Sequence, residues 1–208
     1  MISTKVKNTT LIHGPVGQLE IAVEAADEPS GVWGIICHPH SLYGGTMNNK
    51  VVTTLAKTFQ GLGATTVRFN FRGVGKSDGH FANGNGELDD LLAVIDWVHR
   101  ENSKQEIWLA GFSFGAYIAA KAATMVPVKK LVTVAPAVQH FPMQYLPPIL
   151  CQWVLVQGDQ DDVVPPEAVY AWAESRIPPP KIIRFPEAGH FFHGQLAELR
   201  LRIEEALR

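Results

Sequence analysis

Short apolar runs recur along the chain, and the segments between them place an apolar residue at every third or fourth position. The runs have the length of strands, and their nearly continuous hydrophobicity is typical of strands covered on both faces. The helical spacing is clearest at Val51, Leu55, Phe59 and Leu62. The sequence therefore predicts strands, most of them followed by a helix, at 32–37, 65–71, 106–110, 130–134, 153–157 and 181–185.

This alternation predicts an α/β fold with a mostly parallel central sheet and helices on both faces, because strand–helix–strand successions normally join parallel strands. Two earlier strands, 9–14 and 19–24, are split by Pro15-Val16-Gly17 and are expected to form an antiparallel N-terminal hairpin. The length suits a single domain over residues 1–208. Ligands of such sheets bind beyond the carboxyl ends of the strands, so the loops leaving those ends are the expected site of chemistry.

The composition narrows the classes of function. Hydrophobic residues make up 46% of the chain and charged residues 18%, which is ample material for a core. A net charge of −2 without a clustered basic face argues against a nucleic-acid partner. We expect a cytoplasmic location, because the polar N-terminal residues do not resemble a signal peptide and no segment reaches the ~18 apolar residues of a membrane span. Cys37 and Cys151 form no CxxC pair and are expected to be buried thiols.

The segment Gly111-Phe112-Ser113-Phe114-Gly115 stands between an apolar strand and a helical segment, which is the context that a G-x-S-x-G nucleophile turn requires. Such a turn lifts the serine above the sheet and brings strand and helix so close that both flanks need glycine. The alternative is a helix start that Ser113 merely caps. We predict that Ser113 is a nucleophile and that the Phe114 N–H, at the positive end of the helix, stabilises an oxyanion beside it.

A serine hydroxyl needs a general base, and the base needs a carboxylate to orient it. Among eight histidines only His190 follows the last predicted strand with a glycine directly before it, so His190 is the predicted base. The loop after the preceding strand offers Asp159, Asp161 and Asp162 as the acid. On the residues alone these three carboxylates remain alternatives.

Five segments resemble the α/β-hydrolase superfamily, and the resemblance extends from Val32 to the last residue. These segments are HPHSLYGGTMNNKVV, FNFRGVGKSDG, GFSFGAYIA, GDQDDVVP and EAGHFFHG. They are similar to a group of short bacterial hydrolases related to dienelactone hydrolases, which themselves use a cysteine where this chain has Ser113. The resemblance implies an ester or thioester hydrolase that acts through an acyl-enzyme, with the order Ser, acid, His along the chain.

The same resemblance implies roles for further residues. The pattern G-x-x-D-x-x-V-P implies Asp161 as the acid, with Asp162 second. Pro39 occupies the position where hydrolases often carry glycine, so the second oxyanion donor is expected at one of the residues from His40 to Tyr43. Leu42 is favoured among them.

The surroundings of the site can also be predicted. Superfamily members often insert a cap after the strand that follows the nucleophile helix, but the segment 135–150 is too short and proline-rich to hold a cap domain. Three of its residues are candidates for an apolar lip: Phe141, Met143 and Tyr145. The residues expected to contact substrate are Tyr43, Phe112 and Phe191.

Parts of the sequence also suggest other functions. Gly75-Lys76-Ser77 suggests a phosphate-binding loop, but Asn70 stands where a P-loop needs glycine, so 72–79 is expected to be a structural loop beneath the site. A metal-dependent hydrolase is the alternative enzyme class, and its candidate ligands are His38, His40, His190, His193 and Asp161. A non-catalytic binding module is the third possibility. We expect no cofactor and no metal, and a small-molecule ester as the partner.

Overall fold

The computed structural model describes residues 9–101 and 105–208. Within them, eight strands form one sheet: β1 (Thr9–Gly14), β2 (Gly17–Glu24), β3 (Val32–Cys37), β4 (Thr65–Phe69), β5 (Glu106–Phe112), β6 (Lys130–Val134), β7 (Gln152–Gly158) and β8 (Lys181–Phe185). Their order across the sheet is β1-β2-β4-β3-β5-β6-β7-β8. Strand β2 pairs antiparallel with β1 and β4, and all other pairs are parallel. The predicted N-terminal hairpin and parallel sheet are confirmed.

Five helices cover the two faces of this sheet: α1 (Lys50–Gly61), α2 (Asn85–Glu101), α3 (Phe114–Ala123), α4 (Pro166–Glu174) and α5 (Leu196–Leu207). Helices α1 and α5 share one core cluster, and α2, α3 and α4 share the other. Neighbouring strand residues alternate between them, as Ile35 faces the α2 side and Ile36 the α1 side. Both faces are therefore covered, which is why the central strands are mostly hydrophobic.

Two strand ends differ from the prediction in ways that affect the candidate site. Strand β5 extends two residues further than expected, because Gly111 and Phe112 still pair with Thr133 and Val134 of β6. Strand β4 ends two residues earlier, and the Phe71 N–H donates to His38 Nε2 at 3.0 Å instead of to a strand. The extension of β5 brings the sheet up to the residue before Ser113.

The loop that follows β4 is held by buried polar contacts, as expected of a structural loop at 72–79. Arg72 is buried and forms a bidentate ion pair with Asp90 of α2, with Nη2 and Oδ1 2.7 Å apart. Gly75 adopts a left-handed φ of 58°, and a Cβ atom there would lie 2.5 Å from a Glu20 carboxylate oxygen. The loop is thus built around polar contacts with the chain itself.

The connection between β6 and β7 contains a single 3-10 turn, Met143–Tyr145, and no cap domain, in agreement with the prediction. Cys37 is buried as expected, whereas Cys151 is only half-buried, because it lies just before β7 rather than inside the sheet. Across the residues described, no helix is long and apolar enough to cross a membrane. Residues 1–8, on which the signal-peptide argument partly depends, lie outside the described residues.

Candidate active site

Ser113 stands at a sharp turn between β5 and α3. Its φ of 55° and ψ of −115° lie in a region that residues other than glycine rarely adopt. Its N–H donates to the Val134 carbonyl at 2.9 Å, which anchors the turn to β6. The Ser113 side chain makes no capping hydrogen bond to α3. The helix-cap alternative therefore does not describe this serine, and the strained turn matches the predicted nucleophile elbow.

The two flanking glycines are required by close backbone approach. A Cβ atom on Gly111 would lie 2.1 Å from the Gly115 carbonyl oxygen. A Cβ atom on Gly115 would lie 2.4 Å from the Cys37 carbonyl oxygen and 2.5 Å from that of His38. Because all these neighbours are backbone atoms, no side-chain movement could relieve the clash. The start of α3 thus packs directly against β3 and the loop that follows it.

His190 is paired with Asp161. Its Nδ1 lies 2.8 Å from Asp161 Oδ2, and both residues are buried. The other carboxylate oxygen, Oδ1, accepts the backbone N–H groups of Val163 at 2.9 Å and Val164 at 2.8 Å. Burial alone would raise the pKa of Asp161, but the hydrogen bonds from His190, Val164 and Val163 outweigh it and hold the pKa below its usual value. Asp161 is therefore an ionised partner for the imidazole.

The other two carboxylates of this loop do not contact the imidazole. Asp159 accepts a hydrogen bond from the Tyr170 hydroxyl and pairs with Arg184 at 3.2 Å. Asp162 is exposed. Of the three candidate acids, only Asp161 contacts His190.

Below the imidazole ring lies the ring of Phe112, with centroids 4.9 Å apart. Phe112 ends β5 and faces the α1 side of the sheet, where it is completely buried. Contrary to the expectation that Phe112 contacts substrate, its side chain supports His190 and does not line the cavity described next. Phe192, two residues after His190, adopts a left-handed φ of 52°.

Ser113 and His190 line one cavity of about 790 Å³ at the carboxyl ends of the parallel strands. Tyr43 and Phe191, both predicted substrate contacts, also line it, and both are exposed at its mouth. Phe141 contributes to the wall of the cavity and packs on Phe114, with the two ring centroids 4.9 Å apart. The other two lip candidates lie elsewhere: Met143 is buried in the core and Tyr145 is 80% exposed, away from the lining.

The loop after β3 supplies the opposite wall through His40. The His40 ring is surrounded by aromatic rings, at 4.5 Å from Phe81 and 5.2 Å from Phe114. Burial lowers the pKa of His40, and the charge of Glu87 only partly offsets this. The ring accepts the Leu42 N–H on Nδ1 at 3.3 Å. Leu42 was the favoured second oxyanion donor, but its N–H is already engaged and its side chain is 70% exposed.

His38, a candidate metal ligand, uses both ring nitrogens internally. Its Nδ1 donates to the Pro39 carbonyl at 2.6 Å, which leaves Nε2 to accept the Phe71 N–H. Burial lowers the pKa of His38 to about 4, so the ring is neutral. His193 stacks on Phe191 at the surface. In the part of the chain that is described, no three His, Cys, Asp or Glu side chains converge as a metal site would require.

The polar residues of the site that were not predicted from the sequence include His140 and Gln157. His140 lines the cavity, and Gln157 donates to Asp161 Oδ2 at 3.0 Å from beneath. The signal for Gln157 was available, since it is a polar residue at the end of the apolar run Trp153-Val154-Leu155-Val156. His140 carries no comparable signal, because it lies in an irregular loop.

Comparison with protein families adds an observation independent of this geometry. The family described as serine aminopeptidase, S33 matches residues 41–159, which is more than half of the chain and includes the turn at Ser113. The chain belongs to this α/β-hydrolase family. It is therefore a hydrolase, as the resemblance implied.

Individual relatives agree with this assignment. A protein of Rickettsia prowazekii is 38% identical to this hydrolase over 157 residues, covering 73% of this chain and 66% of the relative, slightly under two thirds of its length. An α/β serine hydrolase homologue from Coxiella burnetii is 52% identical, with a TM-score of 0.94 over 97% of each chain. An α/β serine hydrolase without a lid, from Xanthomonas campestris, is 42% identical, with a TM-score of 0.93 over 97% of this chain and 93% of that one. The predicted lidless α/β-hydrolase fold is confirmed.

Proposed function

We propose that this hydrolase cleaves carboxylic esters or thioesters of small to medium, uncharged acyl groups through an acyl-enzyme on Ser113. One observation carries the proposal: His190, paired with the buried Asp161, shares a cavity with a serine held in a strained turn. Strain of this kind persists only where the surrounding structure enforces it, and it is found most often at functional sites.

The pairing of His190 decides how the proton moves. Because Nδ1 donates to Asp161, Nε2 is the nitrogen left to act on Ser113. In the proposed reaction Nε2 takes the hydroxyl proton while Ser113 Oγ attacks the ester carbonyl. The imidazolium, stabilised by Asp161, then protonates the leaving alcohol. A water molecule, activated by the same nitrogen, hydrolyses the acyl-enzyme.

Two backbone N–H groups are proposed to stabilise the oxyanion. The Phe114 N–H is at the first position of α3, where no carbonyl of the helix can accept it. The second donor is assigned to His40 in place of Leu42, because the His40 N–H has no hydrogen-bond acceptor among the described residues. His40 lines the same cavity as Ser113. The carbonyl of His38, two residues before His40, lies against Gly115 at the start of α3.

In the part of the chain that the structure describes, the lack of charged side chains in the cavity lining favours esters over peptides with a free amino terminus as substrates. An aminopeptidase must hold an α-ammonium group, normally with a carboxylate. Among the described residues that line the cavity, none is Asp, Glu, Lys or Arg. Glu87 influences His40 electrostatically, but its carboxylate accepts the N–H groups of Ala82 and Gly84. We therefore propose an uncharged substrate, although the family description names an aminopeptidase.

Steady-state kinetics tests this proposal. The purified hydrolase is assayed with p-nitrophenyl acetate and butyrate and, in parallel, with alanine and leucine p-nitroanilides. We expect turnover of the esters, no more than trace cleavage of the anilides, and the same rates in the presence of EDTA. Ser113→Ala serves as the control and should lose at least 99% of the activity. Faster cleavage of the anilides would favour an aminopeptidase, and zinc-restored activity after EDTA would favour a metal-dependent hydrolase.

A further inference from the structure

Gln157 is the last residue but one of β7, and its side chain is completely buried. Its Nε2 donates to Asp161 Oδ2 at 3.0 Å and to the Gly158 carbonyl at 3.1 Å. We propose that Gln157 is a positioning residue that fixes Asp161 Oδ2 in line with His190 Nδ1. This inference rests on the proposed function, since it assigns Gln157 a role in the reaction through Asp161.

The contacts of the Asp161 carboxylate show what Gln157 adds. Oxygen Oδ1 is held by two backbone N–H groups, those of Val163 and Val164. Oxygen Oδ2 has two donors, Gln157 and His190. His190 Nδ1 keeps its proton throughout the proposed reaction, but the ring alternates between neutral and charged, so Gln157 is the donor whose strength towards Oδ2 stays constant. Without it, the carboxylate could turn about its Cβ–Cγ bond whenever its bond to the imidazole lengthens.

The amide oxygen of Gln157 indicates that stabilising the fold is not the main role of this side chain. Its Oε1 is buried and has no hydrogen-bond partner among the described residues. Turning the amide over would not help, because Oε1 would then face the oxygens of Asp161 and Gly158. A buried carbonyl without a partner opposes folding, and an apolar side chain of similar shape would avoid that cost. A buried amide that leaves its oxygen unpaired while it bonds the candidate acid is better explained by a role in the reaction than by packing alone.

The neutrality of glutamine suits this role. Its amide donates without bringing a charge and does not titrate, so it supports the ionised carboxylate throughout the catalytic cycle. A lysine or arginine at this position would compete with the imidazolium for the negative charge of Asp161. Glutamine therefore fixes the geometry while leaving the charge of Asp161 for His190.

Two nearly isosteric variants separate positioning from packing. Gln157→Met keeps the volume but removes the donor, and we expect kcat to fall at least tenfold with KM within twofold. Its Tm should equal or exceed that of the wild type, because the unpartnered oxygen is gone. Gln157→Glu can still donate to Oδ2 while its carboxyl is protonated. Its kcat should approach that of the wild type near pH 6. By pH 9, where the new carboxylate is ionised and repels Asp161, the ratio of its kcat to that of the wild type should be at least tenfold lower than at pH 6.

Gln152 provides the matched control. It belongs to the same strand but is exposed and donates to the Ala206 carbonyl at the opposite end. Gln152→Met should leave kcat, KM and the pH profile unchanged. The proposal is overturned if Gln157→Met keeps kcat within twofold of the wild type, or if both variants at Gln157 lose activity in parallel at every pH.

A spectroscopic measurement separates this inference from the proposed function. The measurement uses the Ser113→Ala variant and needs no substrate. In this variant the His190 Nδ1 proton should give a strongly deshielded NMR resonance because of its bond to Asp161. Adding Gln157→Met should shift this resonance and speed its exchange with water. If the wild type hydrolyses no ester but this change is seen, the proposed function fails and the positioning role remains. If the resonance is unaffected, Gln157 does not position Asp161.

Discussion

His190 Nδ1 lies 2.8 Å from Asp161 Oδ2, and this one contact determines which ring nitrogen remains available to the cavity. Both side chains are almost completely withdrawn from water, so the interaction is weakly screened. The Phe112 ring beneath the imidazole restricts it further. The geometry therefore holds a single tautomer in place before any substrate binds.

The first prediction concerns the identity of the acid. Asp161→Asn should lower kcat by at least 10³-fold, because the amide no longer stabilises the imidazolium or selects the tautomer; a comparable change in a serine protease costs about 10⁴-fold. Asp162→Asn should lower kcat by at most about tenfold, since Asp162 is exposed and its field is screened. Kinetics of the purified variants on p-nitrophenyl butyrate gives the answer.

Asp159→Asn is the control within the same loop. It removes contacts to Tyr170 and Arg184, so we expect a lower Tm with kcat within about threefold. A large loss of kcat in Asp162→Asn, with Asp161→Asn near wild type, would show that the acid has been assigned one residue too early.

The second prediction follows from the lowered pKa of Asp161. A carboxylate whose pKa is lower in the folded state stabilises the fold above its unfolded pKa, near 3.9, and this contribution disappears as the pH falls through the folded value. Asp161→Asn removes it at every pH. The Tm difference between wild type and variant should therefore be largest above about pH 5 and shrink towards pH 2 to 3. A difference that stays constant over this range would contradict the assignment.

The third prediction tests the close packing at the elbow. Gly115→Ala would force a methyl group against two backbone carbonyls, at 2.4 and 2.5 Å, and should cost about 3 kcal/mol or more. For a chain of this size that corresponds to a Tm lower by about 6 to 12 °C. Gly189→Ala is the matched control, since the nearest atom to its Cβ would be 3.4 Å away, and its Tm should change by at most about 2 °C. Equal destabilisation by both variants would refute the packing argument.

The fourth prediction follows from the absence of a cap in the β6–β7 connection. Because no cover has to be displaced, the rate should rise smoothly as an ester passes its solubility limit, with no abrupt activation at the interface. Tributyrin hydrolysis measured across its saturation point provides the test. An abrupt rise there, absent with fully soluble p-nitrophenyl acetate, would indicate a moving cover.

The sequence predicted the fold well for a physical reason. Strands covered on both faces, such as Val32–Cys37, are almost entirely apolar, and helices on a sheet must carry an apolar stripe. The elbow was equally visible, because its backbone approach at Gly111 and Gly115 admits no side chain. These features depend on local constraints that few residue types can satisfy.

The parts of the site that were missed depend on side-chain direction and loop contacts. Phe112 and Phe114 flank Ser113 symmetrically in sequence, but one ends a strand and faces the α1 side whereas the other starts a helix and lines the cavity. We propose His40 in place of Leu42 as the second oxyanion donor because the His40 ring accepts the Leu42 N–H, a contact that sequence spacing does not reveal. Gln157 was overlooked because its partner is four residues away, across the turn that follows β7.

Covalent labelling of the serine is the most direct test of the central claim. The hydrolase is treated with a fluorophosphonate probe and digested, and the modified peptide is identified by mass spectrometry. We predict one adduct, on Ser113, with labelling abolished in Ser113→Ala and slowed by orders of magnitude in His190→Ala, while both variants keep the wild-type far-UV circular dichroism spectrum. An adduct on a different serine that persists in Ser113→Ala, or an esterase-active wild type that the probe neither labels nor inhibits, would contradict the account.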